Sequence, residues 1–128
     1  MAIAANYLLK NNLCRKILII DLDVHQGNGT TGETYLALLT AHLPQVIESF
    51  QPDFAFYLAG VDILETDKFG KLQVSLADCK KRDEFVFQTL KQHAIPVAVA
   101  LGGGYSPDIK VIVEAHCNTF RLAVELFE

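Results

Sequence analysis

The sequence predicts an α/β fold built on a parallel sheet, and three observations carry that expectation. Ile17-Leu18-Ile19-Ile20, Phe54-Ala55-Phe56-Tyr57-Leu58 and Val97-Ala98-Val99-Ala100 are apolar runs of strand length. They alternate with longer segments of helical character, and strands separated by helices pair in parallel. Each run also ends in polar or glycine-rich chemistry: Asp21-Leu22-Asp23-Val24-His25, Ala59-Gly60-Val61-Asp62 and Leu101-Gly102-Gly103-Gly104-Tyr105. Open parallel sheets bind ligands at that end, where the loops after the strands surround a crevice.

Taken in order, residues 2–12 read as helix, 16–21 as strand, 33–50 as helix, 53–58 as strand, 78–94 as helix, 96–101 as strand and 107–126 as helix. Thr30 with Glu33 makes a capping box for the second helix, whose Tyr35, Leu36, Leu38, Leu39, Leu43, Val46 and Ile47 form a sheet-facing stripe. The alternating charges of 80–84 read as the solvated surface of the third helix. Ser106 ahead of Pro107 reads as the cap of the last. A second charge cluster, 65–71, follows Asp62 directly and would bring Asp67 and Lys68 near the strand ends, although the spacing does not demand it.

In an extended strand alternate side chains share a face, so Asp21, Asp23 and His25 fall together. Two carboxylates and an imidazole converging there repel or stay protonated unless a cation sits among them, and oxygen with nitrogen ligands suits zinc or another divalent metal. A solvated loop that carries Asp and His by chance is the plainer alternative. Asp62 adds a further carboxylate beyond the second strand.

At these residues the chain resembles the zinc-dependent histone deacetylase superfamily. The matching pieces are Asp21-Leu22-Asp23-Val24-His25-Gln26-Gly27-Asn28-Gly29-Thr30, Ala59-Gly60-Val61-Asp62 and Gly102-Gly103-Gly104-Tyr105, in that order. Gln26 and Asn28, Asp62-Ile63-Leu64-Glu65-Thr66-Asp67 and Lys81-Arg82-Asp83-Glu84 are most similar to the class IV branch and its bacterial relatives. The resemblance implies a three-layer arginase/deacetylase-like fold, with Asp23, His25 and Asp62 as zinc ligands and Tyr105 donating its hydroxyl to the oxyanion. It implies that Asp21 lies behind the metal, orienting a catalytic histidine and lending a carbonyl to a structural monovalent cation, and that Asn28, Gly103 and Gly104 line the substrate channel or support the metal ligands. Three protein ligands leave a coordination position for water and a substrate carbonyl, and a phenol aimed at that carbonyl stabilises charge that develops only in the transition state. The glycines let the backbone turn sharply before Tyr105.

Two departures stand beside the resemblance. Family enzymes carry adjacent histidines that act as general base and acid, and this chain has no His-His. His42, His93 and His116 fall in helical segments away from the strand ends and read as surface or packing residues. Without a positioned base and acid, proton-transfer catalysis of roughly 100- to 10,000-fold is forgone. Relatives also insert a few dozen residues after the Gly-Asn-Gly-Thr turn, and Ala2-Ile3-Ala4-Ala5-Asn6-Tyr7-Leu8-Leu9 resembles an internal family helix. The chain therefore reads as the C-terminal part of a deacetylase-like domain, residues 1–128, lacking the N-terminal half and a segment after Thr30, with the monovalent cation site incomplete.

Gly27-Asn28-Gly29-Thr30-Thr31-Gly32 also fits G-x-G-x-x-G. Asp21 and Asp23 would repel a pyrophosphate there, no acidic residue ends a second strand about twenty residues on, and Glu33 reverses the lysine of a P-loop. A net charge of -4 gives no basic footprint, which argues against direct nucleic-acid binding. Cys14, Cys79 and Cys117 are too few and too widely spaced for a disulfide scaffold or a cysteine zinc site. The N-terminus lacks a signal-peptide pattern and no apolar run is long enough to span a membrane, so a cytoplasmic, intracellular protein is expected. The expected activity is zinc-dependent hydrolysis of acylated lysine, in a protein, or of a small acylated amine. The alternative is a non-catalytic metal-binding or structural module, with self-association through exposed sheet edges.

Overall fold

The computed structural model describes residues 1–23 and 30–128. The elements are α1 (Ala2–Lys10), β1 (Ile17–Asp21), α2 (Gly32–Phe50), β2 (Phe54–Gly60), α3 (Leu76–Gln92), β3 (Val97–Gly102) and α4 (Ile109–Phe127). The strands form one parallel sheet in the order β1-β2-β3, with Ile17 opposite Phe54 and Ala55 opposite Val97. This is the α/β architecture expected from the alternation of apolar runs and helices.

Because strand side chains alternate, β2 sends Ala55, Tyr57 and Ala59 to one face, where all three are fully buried. There they meet Leu43 and Ile47 of α2, Val86, Phe87 and Leu90 of α3, and Leu122 of α4. Each large apolar side chain in that core contributes roughly 1.5–3 kcal/mol by leaving water. A second cluster, including Val61, Ile63, Leu64, Val74 and Ile112, lies under the segment that follows β2. A bridge between Leu64 and Val74 ties that segment to itself. The loop that carries Asp62 is therefore built on packed side chains.

Helix starts differ from expectation in detail. Thr31, not Thr30, caps α2, its hydroxyl oxygen accepting from the Thr34 amide at 3.4 Å. Asp108, not Ser106, caps α4 by accepting from the Lys110 amide at 2.9 Å. The Tyr105 amide is committed to Asp67, and the helix begins only at Ile109. In α3, Ser75 accepts from the Asp78 amide while its hydroxyl donates to the Asp78 carboxylate. Within the expected stripe of α2, Leu43 and Ile47 are buried, but Leu38 and Val46 remain exposed and line an apolar groove of about 430 Å³ against Ile19 of β1.

The largest correction concerns α3. Arg82 and Asp83, read from the sequence as part of a solvated charge cluster, are both 0% exposed. They lie in phase with Cys79, Val86, Phe87 and Leu90, the buried face of that helix. Lys80 and Lys81 of the same cluster point outward as expected. Cys14, Cys79 and Cys117 are free thiols, and no helix among the described residues is long and apolar enough to cross a membrane.

Candidate active site

β1 leaves the sheet at Asp21. The Leu22 amide makes a last bond to the Leu58 carbonyl at 3.3 Å, and Asp21 Oδ1 accepts from the Asp23 amide at 3.2 Å, closing a turn on an aspartate side chain. Asp21 is exposed at the strand end, whereas the turn carries the half-buried Asp23 across the end of β2. The sequence pattern suggested a strand continuing through this stretch. A turn, not strand alternation, positions Asp23.

Gly60 makes room for it. A Cβ at Gly60 would stand 2.2 Å from Asp23 Oδ1, closer than any side chain allows. Asp62, two residues further on, is 5% exposed. A Cβ at Gly103 would stand 2.6 Å from Asp62 Cγ, and one at Gly102 would stand 3.8 Å from Asp23 Oδ2. Gly103 has φ 67° and Gly104 φ 104°, backbone that only glycine adopts without strain. Carboxylates from two different strands thus lie against one bare stretch of backbone at the C-terminal edge of the sheet.

Tyr105 follows on the same turn. Its amide donates to Asp67 Oδ2 at 2.7 Å, while Asp67 Oδ1 accepts from the amides of Phe69 and Gly70 at 2.8 and 2.9 Å. Its ring meets Phe69 edge-on at 5.2 Å and is 56% exposed. Asp67, whose place the sequence left open, is the clamp between this turn and the loop after β2. His25 and Asn28 lie outside the described residues, and among the described residues no three metal-ligating side chains gather.

Behind the strand ends sits a buried polar network that sequence reasoning missed. Arg82 Nη1 donates to the Gly60 carbonyl at 2.5 Å and Nε to Asp83 Oδ1 at 2.8 Å. The Tyr57 hydroxyl donates to Asp83 Oδ1 at 2.5 Å, and Thr119 Oγ1 to Asp83 Oδ2 at 2.6 Å. Burial pushes the Tyr57 phenol well above its ordinary range, so it stays protonated as a donor. His116 also proves closer to the site than its helical position suggested. It lies near the backbone of Gly103, and burial holds its pKa below the usual imidazole value. His42 lines the groove beside β1, and His93 Nδ1 lies 2.8 Å from the Thr89 carbonyl at the end of α3.

Carboxylates are residue types that a divalent cation accepts, and carboxylate oxygens joined by an imidazole suit zinc, so Asp23 and Asp62 are of a kind that could hold such an ion. At the mouth of α2, the Asp78 carboxylate occupies the space beside Gly32, with Oδ2 only 2.8 Å from where a Cβ would stand. That negative charge opposes a pyrophosphate at this helix start.

The family model described as the histone deacetylase domain matches residues 1–32 and 30–120. An uncharacterized protein of Picosynechococcus sp. is 29% identical over 165 aligned positions, covering 99% of this chain and 55% of that protein. Histone deacetylase 2 of Arabidopsis thaliana is 38% identical over 103 residues, covering 80% of this chain and 27% of its own. A probable deacetylase of Methanothermobacter thermautotrophicus is 31% identical over 158 positions, covering 84% and 46% respectively. Among solved structures, the crystal structure of the HDA15 HD domain superposes with a TM-score of 0.75 at 17% identity, covering 96% of this chain and 49% of that one. The chain spans about half, or less, of the length of these relatives. Two of the alignments are longer than the 128 residues here, so those relatives carry residues without a counterpart, and the family match meets itself at residues 30–32. With the matched family model extending over most of its residues and the α/β fold shared, the chain belongs to the histone deacetylase domain family.

Proposed function

We propose that this chain forms a single deacetylase-like domain carrying the metal-binding and oxyanion elements of a zinc-dependent amide hydrolase that acts on acylated lysine or a related acylated amine. The observation that carries the reading is the convergence of Asp23 and Asp62 on Gly60, Gly102 and Gly103. Asp23, His25 and Asp62 are the residues that would hold zinc. When bound, zinc supplies a Lewis acid that polarises a carbonyl and acidifies water. Tyr105 donates its hydroxyl to the amide oxygen, where negative charge grows in the transition state. Gly103 and Gly104 set the direction of that side chain through their left-handed backbone, and Asp67 fixes it from the opposite side. Asp21 holds the Asp23 amide and so orients that carboxylate.

A second reading is a module that keeps the metal site without turnover. It is favoured by the histidine content: His25, His42, His93 and His116 include no adjacent pair to serve as base and acid. The two readings separate in one experiment. Zinc content and acetyl-lysine hydrolysis are measured on the metal-stripped and reloaded protein and on Asp62→Ala. One zinc lost on substitution, together with turnover, supports the hydrolase; zinc without turnover supports the metal-holding module; no zinc in a folded protein overturns both.

A further inference from the structure

We infer that Arg82 is a positioning residue for the metal site, acting through the Gly60 carbonyl. This rests on the reading of Asp23 and Asp62 as ligands. β2 ends on an unfinished edge. Alternate carbonyls of a strand face the same neighbour, and the Leu58 carbonyl accepts from Leu22 of the β1 side. The Gly60 carbonyl faces the same way, but β1 has already turned off at Asp21. Among the described residues no strand amide replaces it, and Arg82 Nη1 supplies the donor at 2.5 Å. The Val61 amide, on the other side, is taken by the Gly102 carbonyl at 3.0 Å. Gly60 is thus pinned between α3 and β3.

What lies against Gly60 gives this pin its purpose. Asp23 crosses the space where a Gly60 side chain would be, and Asp62 leaves the chain two residues later. A rotation of the Gly60 peptide would move both carboxylates relative to each other. Arg82 itself is locked: Nε and Nη2 both lie 2.8 Å from Asp83 Oδ1, the guanidinium sits 5.9 Å from the Tyr57 ring centre, and Tyr57 and Thr119 hold Asp83 in turn.

Stability alone does not account for such an arrangement. A buried ion pair gains little over apolar residues of similar volume, because desolvating both charges offsets their attraction. Apolar residues could fill the space under β2 equally well. They could not satisfy the orphaned carbonyl, nor fix its direction with a planar, rigid donor. The device is a second layer: α3 reaches under the sheet and completes the hydrogen bonding of β2 at the point where Asp62 leaves it and Asp23 crosses its end.

The test is zinc affinity, measured by competition with a chromophoric chelator for the full chain, Arg82→Met, Arg82→Lys and Thr119→Val, each well below its own thermal midpoint. Groups that orient metal ligands typically change metal affinity about 10- to 100-fold when removed, and Arg82→Met is expected in that range. Arg82→Lys, which keeps one donor, recovers part of the loss. Thr119→Val leaves Arg82 in place but takes one of the partners of Asp83, and weakens zinc by a smaller, measurable factor. A merely structural role would lower the thermal midpoint of Arg82→Met and leave zinc affinity unchanged, which overturns the inference. Should Arg82→Met not fold, unchanged zinc affinity in Thr119→Val overturns it instead. A wild-type chain that folds and binds no zinc defeats the metal-site reading itself, a result distinct from binding that is indifferent to Arg82.

Discussion

The Asp67 carboxylate and the Tyr105 amide are joined by a 2.7 Å hydrogen bond across thirty-eight residues of sequence. The same carboxylate gathers the Phe69 and Gly70 amides, so one side chain fixes the loop after β2 and the glycine turn after β3 against each other. Asp67→Ala is expected to cost about 1–3 kcal/mol, the range for losing hydrogen bonds to a charged group. Asp67→Asn, which keeps an acceptor oxygen, should cost less. Urea unfolding midpoints compared at constant m-value read both changes.

Adjacent glycines should respond in opposite ways to alanine. Gly102→Ala meets Leu58 at 3.6 Å, ordinary contact, and is expected to shift stability by less than about 1 kcal/mol. Gly103→Ala faces a left-handed backbone and the Asp62 carboxyl at 2.6 Å. It should cost at least about 1–3 kcal/mol from strain alone and weaken zinc binding as Asp62 is displaced. Thermal unfolding and chelator competition on the same two variants check the contrast.

His116 gives the fold a pH dependence of known sign. Burial lowers its folded pKa below the value of 6.5 expected in the unfolded chain. The unfolded state therefore takes up the proton first as pH falls, and the stability contributed by the neutral ring, complete above the unfolded pKa, is lost between that value and the lower folded one. His116→Gln should flatten this part of the curve of unfolding free energy against pH. An unaltered slope just below pH 6.5 would contradict the assignment.

Two arginines should behave very differently. Arg121 pairs with Glu114 at 2.6 Å, but both side chains are about half exposed, at 58% and 48%. Surface pairs of this kind are worth about 0–1 kcal/mol, and Arg121→Ala should fall within that range and fade with added salt. Arg82 is wholly buried, and unfolding of Arg82→Met should be far easier than that of Arg121→Ala in the same urea titration.

Much of this was legible before the fold. The strands were marked by apolar runs bounded by charge or glycine, and β1, β2 and β3 lie on those runs to within two residues at either end. The candidate residues Asp23 and Asp62 stood out as ionisable groups where a strand should stop. Helix caps were less legible, because Thr30 and Thr31 both offer a hydroxyl and only the local backbone decides which one turns inward. Arg82 and Asp83 were misread because charge patterning was weighed without helical phase. They stand three and four residues after Cys79 and four and three before Val86, so two charges inside an apolar stripe were the available signal. The tie between Asp67 and Tyr105, and the approach of His116 to Gly103, depend on how loops close over the sheet edge, and no local pattern encodes that.

The order β1-β2-β3 also governs how the chain comes together in time. Ile17 meets Phe54 and Ala55 meets Val97, so each strand must wait for a whole intervening helix before it has a neighbour. Loop closure is paid in advance of contact, which makes parallel pairing slow relative to helix formation. Of these three strands β1 is made first and cannot pair with β2 until β2 follows, and the sheet edge beside Asp62 is completed only when β3 delivers Gly102 and Gly103. Residues that would hold a metal thus reach their common edge only after the third of these strands is made, and a metal present during synthesis meets separate ligands before it meets a site.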